Sequence, residues 1–119
     1  MSETDLYTEI LSGHSRGPTR LLRINAGMAY QGRVIDRTPG RLILAPWYPI
    51  RLAAEGVSDL IGFTQEDDRA IFVAIEGKVG RRKATPEQEA FLEMVRRHGG
   101  RAGVARSSEQ AGIIIRGEI

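Results

Sequence analysis

Ala70 to Ile75 is apolar at every position, on both alternating sets of a strand. A strand with one wet face alternates apolar and polar residues. A run that is apolar on both sets has to be covered on both faces. Arg69 to Val79 therefore predicts a central strand with helices packed around it, an α/β architecture. Glu76, Gly77 and Lys78 follow directly, so two charges stand where the chain leaves its most apolar stretch. A chain of 119 residues has material for one such core, and residues 1–119 read as a single domain.

The other elements follow from periodicity and punctuation. Asp5 to Leu11 reads as a short helix with Leu6 and Ile10 in its apolar stripe and Tyr7 and Leu11 as candidates to extend it, stopped by Ser12-Gly13. Leu21 to Ile24 starts a strand, and Gly27 to Gly32 reads as a turn or short strand. Val34-Ile35 and Leu42-Ile43-Leu44 flank the turn pair Pro39-Gly40, which predicts a hairpin. Pro46 and Pro49 bracket Trp47-Tyr48, an irregular segment unsuited to a central strand. Asp59 to Thr64 is a strand that turns back through Gln65 to Asp68. Thr85-Pro86-Glu87-Gln88 opens a helix, with Thr at the N-cap, Pro at the first position and Gln at the third. Gly99-Gly100 ends it. Ala102 to Ala105 reads as a strand, Ser107 to Gln110 as a helical turn and Ile113 to Ile115 as a last apolar strand.

Composition narrows the chemistry. There is no Cys, which removes disulfides, thiolate metal sites and thiol nucleophiles. The net charge is only +2, but 15 of the 17 basic residues are Arg, the side chain best shaped for bidentate contact with phosphate. Arg16 to Arg51 holds seven Arg against one acid, Asp36, which predicts a positive face. Arg81, Arg82 and Lys83 form a second basic run that suits a phosphate clamp. His98, at a helix C-terminus, reads as structural. No apolar run is long enough to span a bilayer. The polar start, Met1 to Asp5, does not read as a signal peptide, so a cytoplasmic location is expected.

A symmetric turn centred between Asp67 and Asp68 pairs residues whose numbers sum to a constant, and sets Asp59 opposite Glu76. Opposed residues share a face, with Cβ atoms roughly 4.5–5.5 Å apart. Lys78, two residues on, points the same way. Like charges opposed across strands repel, and buried charges must be paired or bind a metal. A hard divalent cation answers both needs: it takes carboxylate oxygens and keeps waters for a substrate phosphate. Lys78 could orient such a water or stabilise a pentavalent phosphate. The chemistry implied is phosphodiester hydrolysis. An ordinary Glu76–Lys78 ion pair with Asp59 capping a turn remains the alternative.

Gly56-Val57-Ser58-Asp59-Leu60-Ile61, Ile75-Glu76-Gly77-Lys78, Thr85-Pro86-Glu87-Gln88, Phe91-Leu92 and Gly99-Gly100, in this order, resemble the VRR-NUC domain of the PD-(D/E)xK nuclease superfamily. The resemblance covers roughly Leu6 to Arg106, with Arg23-Ile24-Asn25-Ala26-Gly27 upstream of the acidic motif. It implies a restriction-endonuclease-like αβββαβ core with a mixed central sheet flanked by helices. It implies Mg²⁺ or Mn²⁺ held by Asp59, Glu76 and the Gly77 carbonyl, with Lys78 positioning the attacking water. Glu9 matches the family's helix-borne acid, and Gln88 a glutamine that helps hold the active site. Arg23, Asn25, Arg81, Arg82 and Lys83 would contact DNA. The compact stand-alone length resembles bacterial and phage members associated with homodimers acting on branched DNA such as Holliday junctions. That would place the protein in a bacterial cell or a phage-infected host. Ser58 replaces the Pro of the superfamily motif, and Gly77 is an unusual middle residue. Two other readings follow from the same residues: a DNA-binding module of this fold without turnover, and a small α/β interaction protein with an incidental acidic hairpin. Trp47-Tyr48 or Ile113 to Ile115 could supply a dimer contact.

Overall fold

The computed structural model describes residues 1–24 and 27–118. The elements run α1 (Glu3–His14), β1 (Thr19–Arg23), β2 (Met28–Thr38), β3 (Arg41–Arg51), β4 (Leu60–Glu66), β5 (Arg69–Gly77), α2 (Pro86–Arg97), β6 (Arg101–Ala105) and α3 (Ser108–Ile115). Four strands form one sheet in the order β1-β4-β5-β6, with β5 and β6 parallel and the other neighbours antiparallel. This is a mixed sheet flanked by helices. Setting aside β2 and β3, the order up to β6 is the αβββαβ of the restriction-endonuclease-like fold.

The sheet is covered on both faces along the second half of the apolar run, Val73 to Ile75, while Ala70 and Phe72 near the turn stay exposed. Val73 and Ile75 of β5 pack with Leu6, Tyr7 and Ile10 of α1 and Ala111, Ile114 and Ile115 of α3. Ala74, on the alternate set, packs with Leu92 and Val95 of α2. Both long helices start on capping boxes. Ser2 exchanges hydrogen bonds with Asp5, and Thr85 with Gln88, so each end supplies partners for otherwise orphaned backbone N–H groups.

The β4–β5 register is Leu60↔Ile75 through Glu66↔Arg69, the pairing expected from a symmetric turn. Asp67 takes φ 57° in that turn, a left-handed conformation that Asp tolerates better than most side chains.

Two expectations are corrected. Ile113 to Ile115 is not a strand but the end of α3. Ser107 accepts the Gln110 N–H as its cap, and Ala111, Ile114 and Ile115 turn onto the core at helical spacing. A three-residue apolar run carries no period of its own, so burial against β6 and α1 decides its state. The second correction concerns 27–51. Instead of a short turn and an irregular Pro segment, β2 and β3 form a two-stranded ribbon of 11 residues per strand. Register shifts lie between Gly32 and Val34 and between Val34 and Asp36. Both strands are edges, where Pro is tolerated because an N–H facing solvent is not needed by a neighbour. The ribbon is exposed almost throughout and makes the molecule 52 Å long against 31 and 29 Å in the other directions.

Candidate active site

β4 and β5 bring the acidic pair together. Asp59 stands one residue before β4, its carbonyl accepting the Ile24 N–H at 2.8 Å and so continuing the β1–β4 pairing. Glu76 lies near the end of β5, one step beyond the Leu60↔Ile75 pair, and is 2% exposed. Lys78 is 5% exposed, and its Nζ lies 3.8 Å from Glu76 Oε2. Its backbone N–H donates to the Ala105 carbonyl at 3.1 Å, which fixes it past the strand end. Glu and Lys are almost never this buried unless paired or engaged by a ligand.

Tyr7 of α1 joins them. Its hydroxyl lies 2.9 Å from Asp59 Oδ2, 3.4 Å from Glu76 Oε2 and 3.3 Å from the Gly77 carbonyl oxygen. It also accepts the Gly77 N–H at 3.0 Å. The Arg23 guanidinium sits over the Tyr7 ring, 4.8 Å from its centre, a cation–π contact. Burial, with Glu76 and Asp59 adding to it, pushes the Tyr7 phenol above its ordinary range, so it keeps its proton. Burial chiefly, then the charge of Asp59, pushes the Glu76 carboxyl up to about 7, against the pull of Lys78. Desolvation disfavours the charged form of an acid, and a nearby like charge does the same.

This donor set fits a hard divalent cation. Two carboxylates and a backbone carbonyl offer oxygen only. Glu76 Oε1 is buried without a hydrogen-bond partner, as is Ser58 Oγ. An unpartnered buried carboxylate oxygen costs free energy unless something charged meets it. Among the described residues no three His, Cys, Asp or Glu side chains gather into a metal-holding group. The third oxygen here is main-chain, and Mg²⁺ is commonly held by one or two carboxylates plus water and substrate.

Of the other residues singled out in the sequence, Glu9 lies apart from the cluster, while Gln88, His98 and the 81–83 run lie where the sequence put them. Glu9 is exposed, two residues on from Tyr7 and so roughly 200° around the helix; it does not join the cluster. The acid on the Tyr7 side of α1 is Glu3, one turn earlier, whose charge is felt by Glu76 and which pairs with Arg82 at 3.3 Å. Gln88 uses its side-chain oxygen to accept the Thr85 N–H at 2.8 Å, as a cap. Arg81, Arg82 and Lys83 are exposed in the loop after Lys78. Arg106 braces that loop by donating to the Gly80 and Arg82 carbonyls at 3.1 and 2.6 Å. Arg23 is exposed beside the cluster, and Asn25 lies outside the described residues. His14 bonds Ser108 of α3 and is occupied in holding α1 to α3. His98 Nδ1 bonds the Met94 carbonyl at 2.8 Å, a helix-end role. A cleft of about 690 Å³ is lined by Lys83, Glu89, Val104 and Arg106 among others, and not by Asp59 or Glu76. The carboxylate cluster lies at the strand ends, apart from this cleft.

The structure adds Tyr7 and Glu3 to the surroundings of the acidic pair, neither of which the sequence reading placed there. Tyr7 looked like one more apolar position of the α1 stripe, and only its packing aims the hydroxyl at Asp59. A signal existed in Gly77. A side chain there would meet the Tyr7 ring at 2.7 Å, so a bare middle residue leaves room for something large.

Searches of curated proteins and of solved structures found no match to the chain. A comparison with protein-family models matches the VRR-NUC domain over residues 16–109, from the loop before β1 into α3. The matched stretch contains Asp59, Glu76, Gly77 and Lys78 in the geometry just described, and by that match the chain belongs to the VRR-NUC domain family, a family of nucleases.

Proposed function

We propose that the protein is a Mg²⁺- or Mn²⁺-dependent endodeoxyribonuclease that cuts branched DNA as a homodimer. The observation that carries this is a buried Glu76 beside Asp59 and Lys78 at the end of a core strand, with one carboxylate oxygen left unpartnered. Asp59, Glu76 and the Gly77 carbonyl would hold the cation. When bound, it supplies positive charge for a phosphoryl oxygen and lowers the pKa of its water. Lys78 donates toward the attacking water or the developing phosphorane charge. Glu3, on the Tyr7 side of α1, takes the place that sequence reading assigned to Glu9.

DNA would be held from both sides of this point. The loop with Arg81, Arg82 and Lys83 follows Lys78 directly. The ribbon is inserted between Arg23 and Asp59, so its root is at the site. It carries Arg33, Arg37, Arg41 and Arg51 against Asp36 alone, a charge complementary to phosphate. The sequence offered two apolar patches for a dimer contact. Ile114 and Ile115 are consumed by this chain's own core. Tyr30, Leu42 and Trp47 of the ribbon are 61%, 53% and 55% exposed and, with Leu44, line one shallow hollow. A second copy covers that face in this reading, and its two-fold symmetry suits a four-way junction, whose cleavable strands are related in the same way.

The test is a labelled four-way junction and a matching linear duplex incubated with Mg²⁺, Mn²⁺ or EDTA. Paired, metal-dependent cuts in the junction that vanish in Lys78→Ala support the reading. Binding without cuts in either metal moves the protein to a non-catalytic DNA-binding module. Cuts that survive both EDTA and Lys78→Ala refute it.

A further inference from the structure

Tyr7 lies ahead of the segment that the family model matches, yet its side chain touches each group proposed to hold the cation. It is 1% exposed, and one oxygen atom stands among Asp59 Oδ2, Glu76 Oε2, the Gly77 carbonyl and the Gly77 N–H. Glu76 and Gly77 end β5, whereas Asp59 stands one residue before β4, so the groups come from two separate segments of the chain. A phenol has one proton to give, and the shortest of its three contacts to acceptor oxygens is to Asp59. Its oxygen also receives the N–H of Gly77, which ties the end of β5 to the same point.

Gly77 is the matching half. It lies on the same side of β5 as Val73 and Ile75, which pack against α1. A Cβ at position 77 would fall 2.7 Å from Tyr7 Cε1, 2.9 Å from Cζ and 3.1 Å from the hydroxyl oxygen. The first two distances are shorter than real Cβ contacts, and the ring is held by the core on one side and by Arg23 on its face. The glycine in the acid–x–lysine motif is therefore the space that Tyr7 occupies.

We propose that Tyr7 is the positioning residue of the cation site: its hydroxyl holds Asp59 and the Gly77 end of β5 together before any metal arrives, and Gly77 is the residue that admits it. This rests on the cation reading above. Groups that orient metal ligands through hydrogen bonds typically cost 10–100-fold in metal affinity when removed.

The measurement is Mn²⁺ titration calorimetry on the metal-stripped full chain, with circular dichroism to establish that each variant is folded at the titration temperature. The parent and Tyr7→Phe are compared, the second keeping the ring and losing only the hydroxyl. About a tenfold or greater loss of Mn²⁺ affinity is expected, with the cleavage rate recovering when Mn²⁺ is raised in proportion. A purely structural hydroxyl would not shift the metal midpoint in this recoverable way. Gly77→Ala is the second variant, expected to weaken Mn²⁺ binding by displacing the ring. Equal affinity in folded Tyr7→Phe overturns the proposal, as does tighter binding, which would make the hydroxyl an obstruction. Parent-like affinity in Gly77→Ala also overturns it. A parent that binds no Mn²⁺ overturns the cation reading itself and this inference with it, an outcome distinct from a parent that binds and a Tyr7→Phe variant that binds equally.

Discussion

Glu76→Gln is expected to stabilise the metal-free protein at alkaline pH while destroying the proposed cation site. The Glu76 carboxyl is held at about 7 in the folded chain against an ordinary value of 4.5, chiefly by burial. The folded state therefore keeps a proton that the unfolded state has released. Stability is greatest below the unfolded value, falls as pH rises from 4.5 to about 7, and levels off above that. Each pKa unit is worth about 1.4 kcal/mol, so the whole fall is roughly 3 kcal/mol, and roughly 2–3 kcal/mol of it lies between about pH 5 and pH 8. Gln is neutral at every pH and close to the protonated acid in shape, so it removes this slope. The assay is urea unfolding of parent and Glu76→Gln in EDTA at both pH values. The variant-minus-parent difference should grow by that amount from the lower pH to the higher. A difference that is the same at both refutes the argument that burial of Glu76 is a cost borne for function. Saturating Mn²⁺ should restore stability to the parent at the higher pH and leave the variant unchanged, because a ligand bound only by the folded state stabilises it.

Three further outcomes follow from the geometry. Replacing Arg33, Arg37 and Arg41 together by Ala should lower the dependence of log affinity on log salt by about 3, near 0.9 for each phosphate that is no longer neutralised; an unchanged slope in duplex-binding titrations would detach the ribbon from DNA. If the parent sediments as the proposed dimer, Leu42→Ser with Trp47→Ser should shift it to monomer without unfolding the chain, since neither residue belongs to the core; a monomeric parent refutes the dimer, and a persisting dimer places the subunit contact elsewhere. Gln88→Ala should cost about 1 kcal/mol in thermal or urea unfolding by opening the α2 capping box; no loss would mean that the cap is idle.

Much of the site was legible because it is written in local terms. Bringing Asp59 beside Glu76 needs only the symmetric turn that sets Leu60 opposite Ile75, and the apolar run declares a strand whose second half, Val73 to Ile75, is covered on both faces. Thr85, Pro86 and Gln88 announce the start of α2 by chemistry confined to one turn. Glu9 shows where such reasoning stops. Three acids, Glu3, Asp5 and Glu9, lie on α1; Asp5 is taken by the Ser2 cap, and which of the other two faces the carboxylates depends on how the helix is rotated against the sheet.

The central strand, the capped helix, the acidic pair with its lysine and the likeness to nucleases could all be read from the chain alone. Each rests on residues near one another along it or on a fixed strand register. Packing in three dimensions set the rest. It turned Ile113 to Ile115 into a helix, since an apolar triplet adopts whatever backbone lets it bury. It extended 28–51 into a free ribbon, where edge positions forgive proline. It aimed Tyr7, 52 residues away from Asp59 along the chain, at the carboxylates. No periodicity encodes that contact. It exists because α1 packs across the end of β5, and because Gly77 leaves the ring somewhere to go.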